Sequence, residues 1–292
     1  ARDARLHRDV AIKFLHPHLT QDSRRVDAFF DEARLVARLA LPGVVRIYDL
    51  APDDRVIIME YLTRGTLRDR LASGRPLSLQ AALRVAHALL TTLGRIHDAG
   101  LIHRDLKPEN ILFRSDNSAV LGDFGTAILE DDDRLLETRP AGTVAYMAPE
   151  LKRPLPDHTP DRRVDLYSVG LVLVEMIAGV LPPAPAMAVH DPDLLISLLP
   201  SRARQLLDRP LRHLLAEDPA QRPSSALLIA DDLARARQLL DQEAEDRRLL
   251  DDFQRLAHLD GDPDPATAAY LEMVTRELTR VEDAPQPGPE QF

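Results

Sequence analysis

Between His103 and Asn110 the chain reads His-Arg-Asp-Leu-Lys-Pro-Glu-Asn, which places an acid, a lysine and an amide close together. Asp105 can take a proton from a hydroxyl, Lys107 can balance the charge of a phosphate, and Asn110 can reach a metal through its amide oxygen. Pro108 stiffens the stretch between Lys107 and Asn110. The apolar run Ile111, Leu112, Phe113 follows. The expectation is a rigid loop that feeds a strand and presents Asp105, Lys107 and Asn110 together.

Two further stretches carry chemistry. Asp123-Phe124-Gly125 follows the apolar run Ala119–Leu121 and precedes a polar segment. A carboxylate at Asp123 and an amide oxygen at Asn110 suit a hard cation. Upstream, Val10-Ala11-Ile12-Lys13-Phe14 is a short β run with one lysine in it.

These stretches, in this order, resemble the eukaryotic-type (Hanks-type) serine/threonine protein kinases: Val-Ala-Ile-Lys at Lys13, His-Arg-Asp at Asp105, Asp-Phe-Gly at Asp123 and Ala148-Pro149-Glu150. The resemblance covers roughly residues 1–238. It implies magnesium-ATP as phosphoryl donor, with Asp105, Lys107, Lys13 and Glu32 as catalytic residues. Asn110 and Asp123 would hold Mg2+. Lys13, Ala11, Met59, Glu60, Leu62, Leu112 and Asp123 would line the ATP site, with the Met59–Leu62 crossing meeting adenine mainly through backbone groups. Thr143 with Lys107 implies a protein substrate with a serine or threonine acceptor. Thr138, between Asp123 and Glu150, is the expected site of autophosphorylation, with Arg104 as a partner for its phosphate. The alternative is a pseudokinase or kinase-fold scaffold that acts through protein contacts. Of 37 Lys and Arg together, three are lysine (Lys13, Lys107, Lys152), so two lysines of this arginine-rich chain fall where the family uses one. That bias suggests a G+C-rich, bacterial source.

The elements that must position these groups follow from periodicity. Phe29, Phe30, Ala33, Val36, Ala37 and Ala40 give residues 22–40 an amphipathic helical pattern that carries Glu32, with Thr20 or Asp22 as cap. Pro42-Gly43 breaks it, and residues 44–50 and 55–60 read as antiparallel strands. Ser78 caps a long helix ended by Gly100. Phe124 is expected in the core beneath the Glu32 helix, with Val36, Ile47 and His103. Residues 165–178 match the family's buried central helix, with Asp165 bracing the backbone at His103 and Arg104. Arg222 is expected to pair with Glu150.

The fold class expected is α+β, a bilobal protein-kinase-like fold. It comprises a truncated N-terminal β lobe (1–60), a mainly helical C-terminal lobe (61–240), a helical extension (241–282) and a Pro- and Gly-rich tail (283–292) expected to be disordered. The family's glycine-rich loop does not precede Val10 in this sequence. The extension is read as helices packing on the lobe, with self-association as the other use.

Composition sets the bounds. A length of 292 residues allows two lobes with substantial cores. The net charge of −10 argues against nucleic acid or anionic lipid as main partner. With no cysteine, disulfides, thiolate metal sites and cysteine nucleophiles are excluded. The sequence shows no signal peptide, and its most apolar stretch, 164–180, is short for a membrane span, so a cytoplasmic location is expected.

Overall fold

The computed structural model describes residues 1–15, 23–129, 144–153, 160–181 and 191–259, with isolated positions 269 and 273. Thr138, Thr143, the Thr20 and Asp22 caps and the Pro- and Gly-rich tail lie outside the described residues, as does nearly all of the expected extension beyond Leu259.

The N-terminal part is a sheet with one helix on it. Strands β1 (Arg2–Asp3) and β2 (Arg8–Phe14) precede helix α1 (Ser23–Leu39), and β3 (Ile47–Ala51) and β4 (Val56–Glu60) follow. The sheet order is β1-β2-β4-β3, with antiparallel pairing throughout. Helix α1 lays Phe29, Phe30 and Ala33 against Leu15 and Ile57 of the sheet. The two phenylalanine rings meet edge to face at 5.2 Å between centroids, a favoured aromatic geometry.

The run from Val44, expected as strand, begins pairing in β3 only at Ile47. The reason lies in the other lobe. Val45 N–H donates to Leu121 O at 2.8 Å, and Leu121 N–H donates to Gly43 O at 2.8 Å. The apolar residues before Ile47 therefore dock on the second lobe rather than extend the sheet.

The second part is mainly helical. Helix α2 (Leu67–Leu71) is capped by Thr66, whose hydroxyl accepts from Asp69 N–H while the Asp69 carboxylate accepts from Thr66 N–H. Helix α3 (Leu79–Asp98) is capped by Ser78 and closes before Gly100, which takes φ +73°. Short strands follow: β5 (Leu101–Ile102), β6 (Ile111–Phe113), β7 (Ala119–Leu121) and β8 (Ile128–Leu129). β6 and β7 form the expected hairpin, and β5 pairs with β8. Helices α4 (Pro149–Lys152), α5 (Arg163–Ala178), α6 (Pro192–Ser197), α7 (Ser201–Leu214) and α8 (Ala226–Leu259) complete the lobe.

Helix α5 organises this lobe. Every residue from Val164 to Ile177 is buried, as an all-round apolar helix requires. Polar side chains buried in it must find partners inside, and three of them fasten neighbouring elements. Ser168 Oγ donates to Tyr146 O at 2.8 Å, Glu175 accepts from Arg68 Nη1 at 2.7 Å, and Asp165 accepts from the backbone at His103 and Arg104. Gly170 permits close approach of α7, because a Cβ there would lie 2.9 Å from Leu215 Cδ2.

The expected start of a separate extension at residue 241 falls inside α8, which runs unbroken to Leu259. Ala230, Leu233 and Ala236 of this helix are buried in the lobe's core. Further along, Glu243 pairs with Arg202 of α7 and Asp241 accepts from Gln80 of α3. Among the described residues, no helix is long and apolar enough to cross a membrane.

Candidate functional site

The site is assembled around the loop from His103 to Asn110. Asp165 Oδ2 accepts from His103 N–H at 2.9 Å, and Oδ1 accepts from Arg104 N–H at 2.8 Å. His97 Nε2 also meets Oδ2 at 2.9 Å. Burial alone would raise the Asp165 carboxyl, but the His97 hydrogen bond and the surrounding donors outweigh it and hold it below the usual carboxylate range. This bracing fixes Arg104 at φ +68°, a conformation an arginine adopts only when held there.

His103 is fully buried, its ring 4.7 Å from that of Phe124. Its Nδ1 accepts from Asp105 N–H at 3.4 Å, so the proton belongs on Nε2, which donates to Gly122 O at 3.2 Å. One imidazole thus joins the loop to the turn before Asp123. Phe124 belongs to the same apolar cluster as Val36, with Ile47 packed against it. The expected core beneath α1 is formed.

Asp105, Lys107 and Asn110 converge. Lys107 Nζ donates to Asp105 Oδ2 at 2.6 Å, and Asn110 Nδ2 donates to the same oxygen at 3.0 Å and to Asp105 O at 2.8 Å. Pro108 opens a single 3-10 turn, Pro108–Asn110, that makes the loop compact. Asn110 spends its nitrogen on Asp105, which leaves its amide oxygen for a cation. Gly122 N–H donates to Asn110 O at 2.9 Å and keeps the segment before Asp123 beside it.

Lys13, Glu32 and Asp123 form a second group. Lys13 Nζ lies 2.7 Å from Asp123 Oδ1 and 3.3 Å from Glu32 Oε1. Burial works against the lysine charge, but the Glu32 and Asp123 carboxylates more than offset it, and the Lys13 ammonium is held above its ordinary range. Asp123 is likewise held low: burial opposes, and Lys13 prevails. Glu32 is pushed up, chiefly by burial, with Lys13 opposing and the negative charge of Asp123 adding to the rise. The contrast follows from distance, since one ammonium is shared and Asp123 is nearer. Asp123 has φ +54°, one of the few positive values at a non-glycine residue.

Both groups border a cavity of ≈460 Å³ between the lobes, within the usual range for small-ligand sites. Ala11, Met59, Glu60, Leu62 and Leu112 give it walls, and Lys13, Glu32, Asn110 and Asp123 supply polar groups. Asp105 and Lys107 do not line it and are joined to it through Asn110. The donor set fits magnesium: one carboxylate and one amide oxygen, both hard ligands that leave positions for water and phosphate. Among the described residues, no cluster of three or more His, Asp or Glu suggests another metal.

Below the loop, Glu150 and Arg222 form a fork, Oε1 to Nη1 at 2.6 Å and Oε2 to Nη2 at 2.8 Å. Arg222 also donates to the carbonyls of Ala216, Arg163 and Glu217, so all five of its N–H groups are used.

Two interactions were not legible in the motifs. Arg68 of α2 donates to Glu109 at 2.8 Å, to Glu175 at 2.7 Å and to the Tyr146 hydroxyl at 2.6 Å, which ties the loop to α5 and to the approach to Ala148. Tyr146 in turn donates to Glu175. A glutamate inside an apolar helix signals that some partner must exist, but not which. The second is the pairing of Glu60 with Arg114.

Residues 1–234 match the protein kinase domain model. Over 290 residues the chain is 33% identical to the serine/threonine-protein kinase PknB of Mycolicibacterium smegmatis, a match covering 94% of this chain and 46% of that protein. It is 38% identical over 180 residues to PknL of Mycobacterium tuberculosis, covering 61% of this chain and 44% of the relative. With PknB of Mycobacterium leprae it shares 36% over 187 residues, covering 61% of this chain and 30% of the relative. The chain thus spans less than half the length of these relatives. Because the domain model matches most of the chain and these kinases are 33–38% identical to it, the chain belongs to the protein kinase family, in its bacterial Hanks-type serine/threonine branch.

Proposed function

We propose that this chain is a protein serine/threonine kinase that transfers the γ-phosphoryl group of ATP to a protein hydroxyl. The observation that carries this reading is the position of Asn110, bonded to Asp105 on one side and lining the cavity with Lys13 and Asp123 on the other. A proton acceptor and a cation-binding pair are therefore adjacent.

Lys13, braced by Glu32, holds the α- and β-phosphates. Asn110 and Asp123 hold Mg2+, which when bound offsets the charge of the phosphates. Asp105 orients the acceptor hydroxyl and takes its proton as the oxygen bonds to the γ-phosphorus and the bond from that phosphorus to the β,γ-bridging oxygen breaks, releasing ADP. Lys107 neutralises charge on the transferring group from 2.6 Å beside Asp105. Most of the acceleration comes from positioning and charge stabilisation. The apolar wall from Ala11, Leu62 and Leu112 suits a flat purine. The Glu150–Arg222 fork supports a rigid platform for a protein substrate.

The test is incubation of the chain with magnesium-ATP and a generic basic protein, followed by phosphoamino-acid analysis. Phosphoserine or phosphothreonine that is absent with Lys13→Met supports the reading, and no product, or phosphotyrosine alone, removes it. Thr138 is the proposed autophosphorylation site. A phosphate mass shift on its peptide in the wild type but not in Asp105→Asn is expected, and an active protein without that shift would count against Thr138.

A further inference from the structure

Glu60 ends β4, where the chain crosses from the sheet to the helical lobe, and its carboxylate is gripped from two sides. Arg114, which follows β6, donates from Nε to Oε1 at 2.7 Å and from Nη2 to Oε2 at 2.8 Å. The Arg46 N–H approaches Oε2 at 3.4 Å, while Glu60 N–H donates to Arg46 O at 2.8 Å. The ion pair is well covered, with the side chains 27% and 15% exposed for Arg114 and Glu60. Arg114 is itself held, because its N–H donates to Ser118 O at 3.1 Å and closes the hairpin.

We propose that Glu60 and Arg114 form a latch between the lobes that limits their opening and sets the rate of nucleotide exchange. This rests on the reading that the cavity takes a nucleotide.

The β6–β7 hairpin is where the two lobes meet. Asn110 enters it and Asp123 leaves it, while Lys13 faces Asp123 from β2. The backbone bonds between Gly43, Val45 and Leu121 join the sheet lobe to the same hairpin and are indifferent to side-chain identity. They act as a pivot. For the cavity to open about it, the crossing must move away from the hairpin, and the Glu60–Arg114 fork must lengthen or break. The next ties along the crossing are single backbone bonds, Arg64 N–H to Phe113 O at 3.3 Å and Phe113 N–H to Gly65 O at 3.0 Å. A bidentate, charge-assisted fork is stiffer than such a single bond. Its hydrogen bonds hold the Glu60 carboxyl below its ordinary range, so the latch stays charged through neutral pH. Arg114 does not line the cavity, so it acts on the nucleotide through Glu60 and is a positioning residue.

The experiment uses the full chain with a fluorescent N-methylanthraniloyl ADP and measures its dissociation by stopped-flow displacement with ATP. Variants are Glu60→Gln, Arg114→Met, Arg114→Lys, the Glu60→Gln/Arg114→Met double and the swapped pair Glu60→Arg/Arg114→Glu. Glu60→Gln and Arg114→Met are each expected to release the ligand about 5–10-fold faster, with the double no faster than either single. Arg114→Lys, which keeps the charge and loses the fork, falls between, and the swapped pair recovers part of the slow rate. Singles within twofold of wild type, or effects that multiply in the double, overturn the latch. Hydrogen exchange of the amides of Tyr61–Arg64 in nucleotide-free protein gives an independent reading. Faster exchange in the singles supports the latch and unchanged exchange refutes it. If wild-type protein fails to bind the fluorescent ADP, the nucleotide reading falls, and the exchange arm still decides the latch. Should Arg114→Met not fold, Glu60→Gln and Arg114→Lys decide the same question.

Discussion

Lys13 stands nearer to Asp123, at 2.7 Å, than to Glu32, at 3.3 Å, so the ammonium already bridges the two lobes. Phosphates entering the cavity must share that ammonium with both carboxylates. Glu32 then serves mainly to keep Lys13 from following Asp123. Glu32→Gln is expected to lower kcat/KM by about tenfold, ~1.4 kcal/mol of transition-state stabilisation, with thermal stability nearly unchanged. Steady-state kinetics with calorimetry checks this; wild-type kcat/KM would remove Glu32 from the site.

Asp165 is expected to be a larger structural anchor than its buried position suggests. Its carboxyl is held below the ordinary carboxylate range in the folded chain, so the stability it contributes is fully present above about pH 4–5. That contribution is lost as pH falls through the lower folded value. Asp165→Asn replaces one acceptor oxygen with a donor and leaves a backbone N–H unpaired, at a cost of about 1–3 kcal/mol. Urea melts from pH 3 to 7 should show the wild-type advantage constant at the upper end and shrinking below pH 4. An advantage that grows on acidification would contradict the assignment.

Arg222→Met would strand the Glu150 carboxylate, which is 1% exposed, and is expected to cost about 3–5 kcal/mol. Arg222→Met with Glu150→Gln should recover part of that loss, since the uncompensated charge is gone. Chemical denaturation of the single and double variants tests the pair, and purely additive losses would mean the two residues act apart.

Arg68→Met removes three charge-assisted contacts at once. Among the described residues, Glu175, 7% exposed at its side chain, then keeps the Tyr146 hydroxyl as its one side-chain partner. A loss of about 2 kcal/mol in denaturation and a fall in kcat are expected. A change in stability with kcat intact would limit Arg68 to a structural part.

What could be read from the chain was local in sequence. Lys107 and Asn110 sit so close to Asp105 that one short loop has to bring them together, and Ser78 with Gly100 marks the ends of α3 almost to the residue. Asp165 and Arg222 were readable only through resemblance. Arg68 lies on another element from Glu109, Glu175 and Tyr146, and Arg114 is far from Glu60, so no spacing rule connects them. The strand expected from Val44 starts late, at Ile47, because apolar character reports burial without saying against which lobe. The extension expected to start at residue 241 is helical but continuous with the lobe for a related reason: nothing in α8 breaks the helix there, and contacts with Gln80 and Arg202 carry it past the core.

The central claim is that Asp105 serves phosphoryl transfer to a protein hydroxyl, and single-turnover transfer of radiolabelled γ-phosphate tests it most directly. Wild type and Asp105→Asn are compared with magnesium-ATP saturating and one protein acceptor. The account predicts label on serine or threonine with wild type and a fall of about 100-fold or more with Asp105→Asn, while ATP affinity holds within a few-fold. Equal transfer by the two proteins, or none by a wild type that binds magnesium-ATP, would contradict it.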